Sequence, residues 1–192
     1  MNSEIQYNRP QQSIAHKNKA ANKTANKPEV SILFVCLGNI CRSPSAEGIF
    51  SHLANIKQTN FNYNVDSAAI ADYHIGKLPD KRAIAAMNKQ GLDISHQRCR
   101  KVCPEDFQKF DYIISMDERI LATLTKFSGF RAETSYLMTD FFNGAKNKDV
   151  PDPFHGVQSD FDNMVDLLFE CCGFMLDHIE SSILQETQVG LR

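Results

Sequence analysis

The apolar and polar positions of this chain alternate between strand-like and helix-like patterns. Residues 30–35 form an apolar run that predicts a buried strand, and the spacing that follows predicts a helix at 44–57. The same alternation predicts strands near 61–67 and 110–115, and helices near 80–90 and 117–127. Strands that alternate with helices pair in parallel and are covered by those helices, so we expect an α/β fold with a parallel sheet.

The C-terminal part of the chain carries one long helical pattern. Ser159 and Asp160 are residue types that cap helix N-termini. Apolar side chains then recur at steps of three and four residues, at Phe161, Met164, Leu168, Cys172, Met175, Ile179 and Ile183. This spacing predicts a helix that packs on the sheet. We interpret Cys171 and Cys172 as core side chains and not as a redox pair, because adjacent helical residues point in different directions.

Residues 1–28 differ in composition from the rest of the chain. They are rich in Asn, Gln, Lys and Ala, with Ile5, Tyr7 and Ile14 among their few large apolar side chains. Such a segment cannot bury enough apolar surface to offset the entropy lost on ordering. We therefore expect a disordered N-terminal extension at 1–28 and one folded domain at 29–192.

Composition and charge agree with a single globular domain. The 192 residues are 42% hydrophobic and 23% charged, which is typical of soluble chains. A net charge of −2 gives no general attraction to nucleic acid. No apolar run approaches the roughly 20 residues that cross a bilayer, and the N-terminus lacks the apolar core of a secretory signal. We expect a cytoplasmic protein that binds no nucleic acid and does not insert into a membrane.

The six cysteines could indicate disulfides or a metal site. Cys99 and Cys103 have a spacing found in zinc sites, but no second Cys or His pair of comparable spacing completes the four ligands that a structural site needs. We interpret all six as reduced thiols, since two of the three pairs lie beside the candidate chemistry or in the predicted core. No metal or other cofactor is expected.

The strongest chemical signal is the segment from Cys36 to Pro44, which directly follows the first predicted strand. Five residues separate Cys36 from Arg42, and the backbone N–H groups of so short a loop can point inward and bind an anion. The following helix N-terminus and the planar guanidinium of Arg42 add positive charge, which also favours a thiolate. Gly38 permits a positive φ angle, and Pro44 suits a first helical turn. The segment is typical of an anion-binding site with a cysteine nucleophile.

Phosphoryl transfer to a cysteine also needs a proton donor for the leaving oxygen. Asp152 is a candidate, because Pro151 and Pro153 stiffen the backbone on both sides of its carboxyl group. An aspartate before proline is also common in turns, and the spacing by itself favours neither interpretation.

Several motifs together resemble one protein family. They are VCLGNICRSP at 35–44, DSAA at 66–69, FDYII at 110–114, MDE at 116–118 and DP at 152–153. In order and approximate spacing, from about residue 30 to 184, they are similar to the low-molecular-weight protein tyrosine phosphatases. The resemblance implies a three-layer sandwich in which a four-stranded parallel sheet has helices on both faces.

The resemblance also implies hydrolysis of phosphotyrosine in proteins without a cofactor. Cys36 would attack phosphorus to form a cysteinyl-phosphate, while Asp152 would protonate the departing phenol and then activate water. The side chain of Arg42 and the loop backbone would bind the phosphate, through Leu37, Gly38, Asn39, Ile40, Cys41, Arg42 and Ser43.

Supporting roles follow from the same resemblance. A polar network would hold the loop in shape, and its members would be Asn39, Ser43, Ser67 and His96. Tyr73 and Phe154 would form two aromatic walls of a slot for a flat phenyl phosphate. Without the resemblance, His96 would be interpreted as an ordinary surface or core histidine.

Cys41 matches a second loop cysteine of the family. It would form a disulfide with Cys36 under oxidation and so protect the nucleophile from irreversible oxidation. Packing beneath the loop is the other interpretation of Cys41, and the two are compatible.

Three other functions stay open. An arsenate reductase of the same fold would need a relay of further cysteines, and Cys99 and Cys103 are not in the segment that carries that relay. A phosphoarginine phosphatase is similar as well, but its loop resembles one with threonine where this chain has Ile40. A non-catalytic phosphate-binding module would have no chemical reason to keep both Cys36 and Asp152.

The expected partner is a tyrosine-phosphorylated protein, with a bacterial tyrosine kinase as one candidate. Many eukaryotic members of the family have two tyrosines after the Asp-Pro pair, where this chain has Phe154 and His155. This difference favours a bacterial-type enzyme. A monomer or a weak dimer is expected.

Overall fold

A computed structural model describes residues 27–142 and 149–189, and within its last helix it does not describe the side chains of 184–189. The extension predicted at 1–28 therefore lies, apart from its last two residues, outside the described part of the chain. Its disorder stays a prediction.

Four strands of the described residues form one parallel sheet. They are β1 Glu29–Cys36, β2 Asn62–Ala69, β3 Tyr112–Ser115 and β4 Ser135–Leu137, in the spatial order β2-β1-β3-β4. The predicted parallel sheet is confirmed. The sequence pattern did not locate β4, because a strand of three residues is too short to show a period.

The helices of the described residues are α1 Arg42–Lys57, α2 Lys81–Lys89, α3 Asp106–Lys109, α4 Glu118–Leu124 and α5 Gln158–Val189, with 3-10 turns at Ala132–Thr134 and Met138–Phe141. Among the described helices, α1 to α4 lie between the strands in the chain, and α5 follows the last strand. The pattern missed α3, whose four residues make only one turn. None of the described helices is both long and apolar enough to cross a membrane.

The strand β1 lies between two hydrophobic cores, because its successive side chains point to opposite faces of the sheet. Ile32 and Phe34 belong to the larger core, which α1, α2 and α5 cover. Leu33 and Val35 belong to the smaller core, which α3 and α4 cover. Helices on both faces of the sheet confirm the three-layer sandwich.

The helix α5 begins at Gln158, before both of the predicted cap residues. Asp160 therefore lies inside the first turn, where its carboxylate accepts the N–H of Val157 at 2.8 Å. The prediction that Ser159 and Asp160 precede the helix as caps is wrong in position, although Asp160 does satisfy a free N–H group at this helix terminus. Cys171 and Cys172 are fully buried, at 0% exposure each, so their interpretation as core side chains is confirmed.

Candidate active site

The candidate site is built on residues 36–42, called here the Cys36 loop, which joins the end of β1 to the start of α1. Its positive φ angle of 52° falls on Asn39 and not on Gly38, which corrects the expectation for this glycine. Asn is among the few residues other than Gly that tolerate this conformation. Gly38 leaves room for His74 instead, because a Cβ atom there would lie 3.1 Å from Cδ2 of His74, and this ring would have to shift by a few tenths of an ångström.

Cys36 lies at the bottom of the site with 3% of its surface exposed. Its sulfur accepts the N–H of Asn39 at 3.2 Å and lies 3.0 Å from Oγ of Ser43. Ser43 Oγ in turn accepts a hydrogen bond from Nδ2 of Asn39 at 2.9 Å, and its own proton can point at the sulfur or at the Ala68 carbonyl, 3.5 Å away. The shorter distance, to the sulfur, favours donation to Cys36. Both donors stabilise negative charge on sulfur.

A polar network fixes the side chain of Asn39 under the loop. Its Oδ1 accepts the backbone N–H of Arg100 at 3.0 Å, and its Nδ2 donates to Ser67 Oγ at 2.8 Å as well as to Ser43. Ser67 then donates to Oε2 of Glu47 at 2.6 Å. The predicted network therefore contains Asn39, Ser43 and Ser67.

The structure does not bring His96 into this network. His96 is exposed, and its backbone carbonyl accepts a hydrogen bond from Arg98 at 3.0 Å. Glu47 provides the carboxylate partner of Ser67 instead. Glu47 was missed from the sequence, although its position four residues after Ser43 places both side chains on one face of α1.

The environment of Glu47 favours its protonated form. Burial raises the pKa of this carboxyl group from 4.5 to about 7, and the nearby charge of Asp66 adds to the increase. The hydrogen bond from Ser67 and the positive charge of Arg100 act in the opposite direction but do not cancel it.

Arg42 is held beside the Cys36 loop by two carboxylates. Its NH1 lies 2.6 Å from Oδ2 of Asp117 and its NH2 lies 2.7 Å from Oδ2 of Asp152, while its side chain is 4% exposed. Burial disfavours the charge on Arg42, but the negative groups of Cys36, Asp152 and Asp117 outweigh it and raise the pKa of the guanidinium. The predicted cysteine, arginine and aspartate thus meet at one opening.

Asp117 is a site residue to which sequence analysis gave no role. Its Oδ2 pairs with Arg42, and its Oδ1 accepts the N–H of Ile120 at 2.7 Å as the N-cap of α4. The sequence could have predicted this role from the position of Asp117 just after β3, because the carboxyl ends of neighbouring parallel strands meet at one edge of the sheet.

Asp152 lies on residues 149–157, called here the Asp152 loop. The N-terminal side of this loop is anchored by the Val150 N–H, which donates to Met116 O at 2.8 Å, and by the Val150 carbonyl, which accepts from Arg42 at 3.2 Å. Asp152 Oδ1 accepts the N–H of Phe154 at 3.2 Å, and the Asp152 side chain is 40% exposed. The carboxyl group is therefore both anchored and open to solvent.

Aromatic rings stand around the opening. Tyr73 and Phe154 are 71% and 37% exposed, and the ring of His74 is next to both, with centroid distances of 6.4 and 6.2 Å. Since His74 also approaches Gly38, it brings the two predicted walls and the Cys36 loop into one surface. His74 was not singled out from the sequence.

The other cysteines near the loop are buried. Cys99 donates its S–H to the Gly38 carbonyl at 3.2 Å, and Cys41 is 4% exposed. Burial is the main cause that raises the pKa of the Cys41 thiol. Among the described side chains, those of residues 27–142 and 149–183, His, Cys, Asp and Glu form no group of three or more that could hold a metal ion.

Comparison with known proteins identifies the family of this α/β fold. The model of the low molecular weight phosphotyrosine protein phosphatase family matches residues 31–186. A low molecular weight phosphotyrosine protein phosphatase of Sus scrofa is 36% identical over 153 residues, which cover 78% of this chain and 95% of the relative. The protein-tyrosine-phosphatase YfkJ of Bacillus subtilis is 36% identical over 153 residues, covering 79% and 96%.

Solved structures agree with these relatives. The crystal structure of a protein tyrosine phosphatase from Entamoeba histolytica superposes with a TM-score of 0.75 at 32% identity, over 80% of this chain and 98% of that one. The crystal structure of Bacillus subtilis YfkJ gives 0.75 at 33% identity, over 84% and 99%. The fold and site thus define a phosphatase. The chain belongs to the low molecular weight phosphotyrosine protein phosphatase family.

Proposed function

We propose that this chain hydrolyses phosphotyrosine in proteins through a cysteinyl-phosphate intermediate. The observation that carries the proposal is the meeting of Cys36, Arg42 and Asp152 at one opening, although Arg42 and Asp152 are 110 positions apart in the chain. A nucleophile, a cation for the phosphate and an acid for the leaving group are the three parts that such a reaction needs.

Phosphate binding is supported by the start of α1, which has no side-chain cap. Cys41 occupies the N-cap position without a side-chain hydrogen bond to the helix, so the first N–H groups of α1 have no side-chain cap. A helix N-terminus of this kind attracts anions, and Arg42 adds a planar fork that matches two phosphate oxygens. The proposed phosphate site consists of these groups and the backbone of Leu37, Gly38, Asn39, Ile40, Cys41, Arg42 and Ser43.

In the first chemical step the Cys36 thiolate attacks phosphorus. The S–P bond forms while the bond from phosphorus to the phenolic oxygen breaks, and Asp152 gives its proton to that oxygen. In the second step the Asp152 carboxylate takes a proton from water, the water oxygen attacks phosphorus, and the S–P bond breaks. Inorganic phosphate leaves and the thiolate and the protonated acid are restored.

The ion pair between Arg42 and Asp152 supports a role for bound phosphate in releasing the Asp152 carboxyl group for catalysis. A phosphate dianion bound to Arg42 competes with Asp152 for the same N–H groups. Asp117 keeps its own contact with Arg42 and holds the guanidinium in place.

The shape of the opening supports an aryl phosphate. Cys36 is 3% exposed, whereas the rings of Tyr73 and Phe154 stand at the surface. A phenyl ring is long and flat enough to carry a phosphate to a buried sulfur between two aromatic walls. A phosphoserine side chain is shorter and has no ring face to bury.

Redox sensitivity, cytoplasmic location and a bacterial tyrosine kinase as substrate are finer parts of the proposal. For the first, a peroxide would oxidise Cys36 to a sulfenic acid, which the Cys41 thiol would attack with loss of water to form a disulfide.

A side-by-side assay of phosphotyrosine, phosphoserine and phosphoarginine peptides and of arsenate tests the proposal. We expect turnover of the phosphotyrosine peptide, none by Cys36→Ser, and a loss of about 10²–10⁴-fold in Asp152→Ala with phosphate inhibition largely kept, because the acid contributes chemistry and not affinity. Preferred hydrolysis of phosphoarginine or thiol-dependent reduction of arsenate would favour the corresponding alternative. Binding without turnover would favour the non-catalytic module.

A further inference from the structure

Arg82, in the first turn of α2, is a second arginine beside the site, and the proposed chemistry does not use it. Its NH1 donates to the carbonyl of Gly156 at 3.0 Å and its NH2 donates to the carbonyl of Phe154 at 3.0 Å. Both carbonyls lie just after Asp152 in the chain. Arg82 therefore anchors the C-terminal side of the Asp152 loop, opposite to the anchors at Val150.

Ring contacts fix the plane of the Arg82 guanidinium. Its central carbon lies 4.4 Å from the centroid of the Phe161 ring on α5 and 5.9 Å from that of Phe154. An arginine that stacks on a ring and donates to two carbonyls has few other orientations that keep all these contacts. The arrangement holds the carbonyls at fixed positions relative to α2 and α5.

Asp80 connects the same guanidinium to the Cys36 loop. It accepts from Nε of Arg82 at 3.0 Å and from NH2 at 2.8 Å, and these hydrogen bonds are the main cause that lowers the pKa of its carboxyl group. The backbone N–H of Asp80 donates to the carbonyl of Ile40 at 2.7 Å. One ion pair thus joins the loop that carries the nucleophile to the loop that carries the acid.

We propose that Arg82 is a positioning residue that holds Asp152 at the correct place over Cys36 for proton transfer. This inference rests on the proposed function, in which Asp152 is the general acid. A small displacement of a general acid lowers the rate steeply, because proton transfer needs hydrogen-bond reach. Arg82 acts through the backbone of the Asp152 loop and does not touch the reacting atoms.

A series of aryl phosphates with increasing phenol pKa tests the proposal, from 2,4-dinitrophenyl through p-nitrophenyl to phenyl phosphate. Good leaving groups need little protonation, so loss of acid function lowers kcat/KM most for phenyl phosphate. For Arg82→Met we expect a loss of at least about tenfold with phenyl phosphate and below about twofold with the dinitrophenyl ester. Arg82→Lys keeps the positive charge and can still donate to one of the two carbonyls. This variant should therefore lose less kcat/KM with phenyl phosphate than Arg82→Met does.

Lys89→Met is the matched control. Lys89 lies on the same helix and pairs with Asp162 of α5 at 2.6 Å, so it also joins α2 to α5, but through a residue outside the Asp152 loop. In Lys89→Met, kcat/KM should depend on the pKa of the leaving phenol as it does in the parent. Asp152→Asn is the positive control, and adding Arg82→Met to it should cause little further loss, because both act on one proton transfer.

Equal loss of kcat/KM on all three esters in the Arg82 variants would overturn the positioning role, as would full additivity in the double variant. If Arg82→Met does not fold, the same comparison with Arg82→Lys decides the question. A failure of the underlying function has a different signature: Asp152→Asn itself would then show no dependence on the leaving group.

Discussion

At the scale of single residues, Asn39 does the most to shape the site. It takes the left-handed conformation that turns the Cys36 loop, its N–H donates to the sulfur of Cys36, and its amide joins Ser43 to Ser67. The Arg100 N–H fixes the orientation of the amide, because a donor can face only Oδ1. Backbone conformation, nucleophile and supporting network therefore depend on one side chain.

Asn39→Ala tests this dependence. The change removes three side-chain hydrogen bonds at a residue that is 2% exposed and leaves alanine in a strained conformation. We expect a decrease of about 2–4 kcal/mol in the free energy of unfolding and at least about tenfold in kcat/KM, measured by urea unfolding and an aryl phosphate assay. Asn64→Ala is the control, since Asn64 is half-buried on β2 and, among the described residues, its side chain makes one hydrogen bond, of 3.4 Å to Ser31. Equal effects of the two changes would contradict the special role of Asn39.

At the scale of elements, α1 carries both the cation of the site and the carboxyl group beneath it. Its first two residues are Arg42 and Ser43, and Glu47 follows one turn later on the same face. The helix is fixed by Ile49 and Phe50, which are fully buried against the sheet and α5. The positions of the site groups are therefore set by the packing of a whole helix and not by the loop alone.

Glu47→Gln should reveal the cost of ionising this carboxyl group inside the fold. The folded chain keeps a proton on Glu47 up to about pH 7, while the unfolded chain releases it near pH 4.5, so the stability contribution of Glu47 decreases as pH rises between these values. Glutamine does not ionise. The free energy of unfolding of Glu47→Gln minus that of the parent should therefore be larger at pH 8 than at pH 5. The increase should be at most about 3 kcal/mol, since each pKa unit corresponds to about 1.4 kcal/mol.

Urea unfolding at pH 5 and pH 8 measures this difference. Glu170→Gln on the exposed face of α5 is the control and should show no comparable change with pH. A constant difference between Glu47→Gln and the parent at the two pH values would mean that the carboxyl group of Glu47 titrates normally.

At the scale of the whole molecule, the site lies where three adjacent strands end. Cys36 ends β1, Ser67 lies near the end of β2, and Asp117 follows β3, and these strands are neighbours in the order β2-β1-β3. Open parallel sheets place their ligand sites at this edge, because all the strands present their carboxyl ends there. Two hydrophobic cores, one on each face of β1, hold the edge together.

Removal of residues 1–26 tests whether the described domain is sufficient. The anchors near its start are kept, since Lys27 donates to the Thr59 carbonyl at 2.6 Å and the Pro28 carbonyl accepts from Asn62 at 2.8 Å. We expect kcat/KM within about twofold of the full chain and stability within about 0.5 kcal/mol, because the sequence predicts a disordered extension and such a segment contributes little to either. A large loss of stability would show that the extension contributes to the folded domain.

Sequence alone determined those features that depend on residues close together in the chain. The step from an apolar run to Cys36, then to Arg42 and a helix start, is local, and local geometry predicted both the loop and its anion-binding character. The periodicity of β1, α1 and α5 was equally readable, because a regular element repeats its contacts every two or every three to four residues.

Only the tertiary structure decided which distant side chains complete the site. Glu47 and not His96 accepts the hydrogen bond of Ser67, Asp117 joins Asp152 on Arg42, and Arg82 reaches the Asp152 loop. Each of these contacts depends on the directions in which two packed elements present their side chains. That geometry is set by burial of the two cores over the whole chain, so no short stretch of sequence contains it.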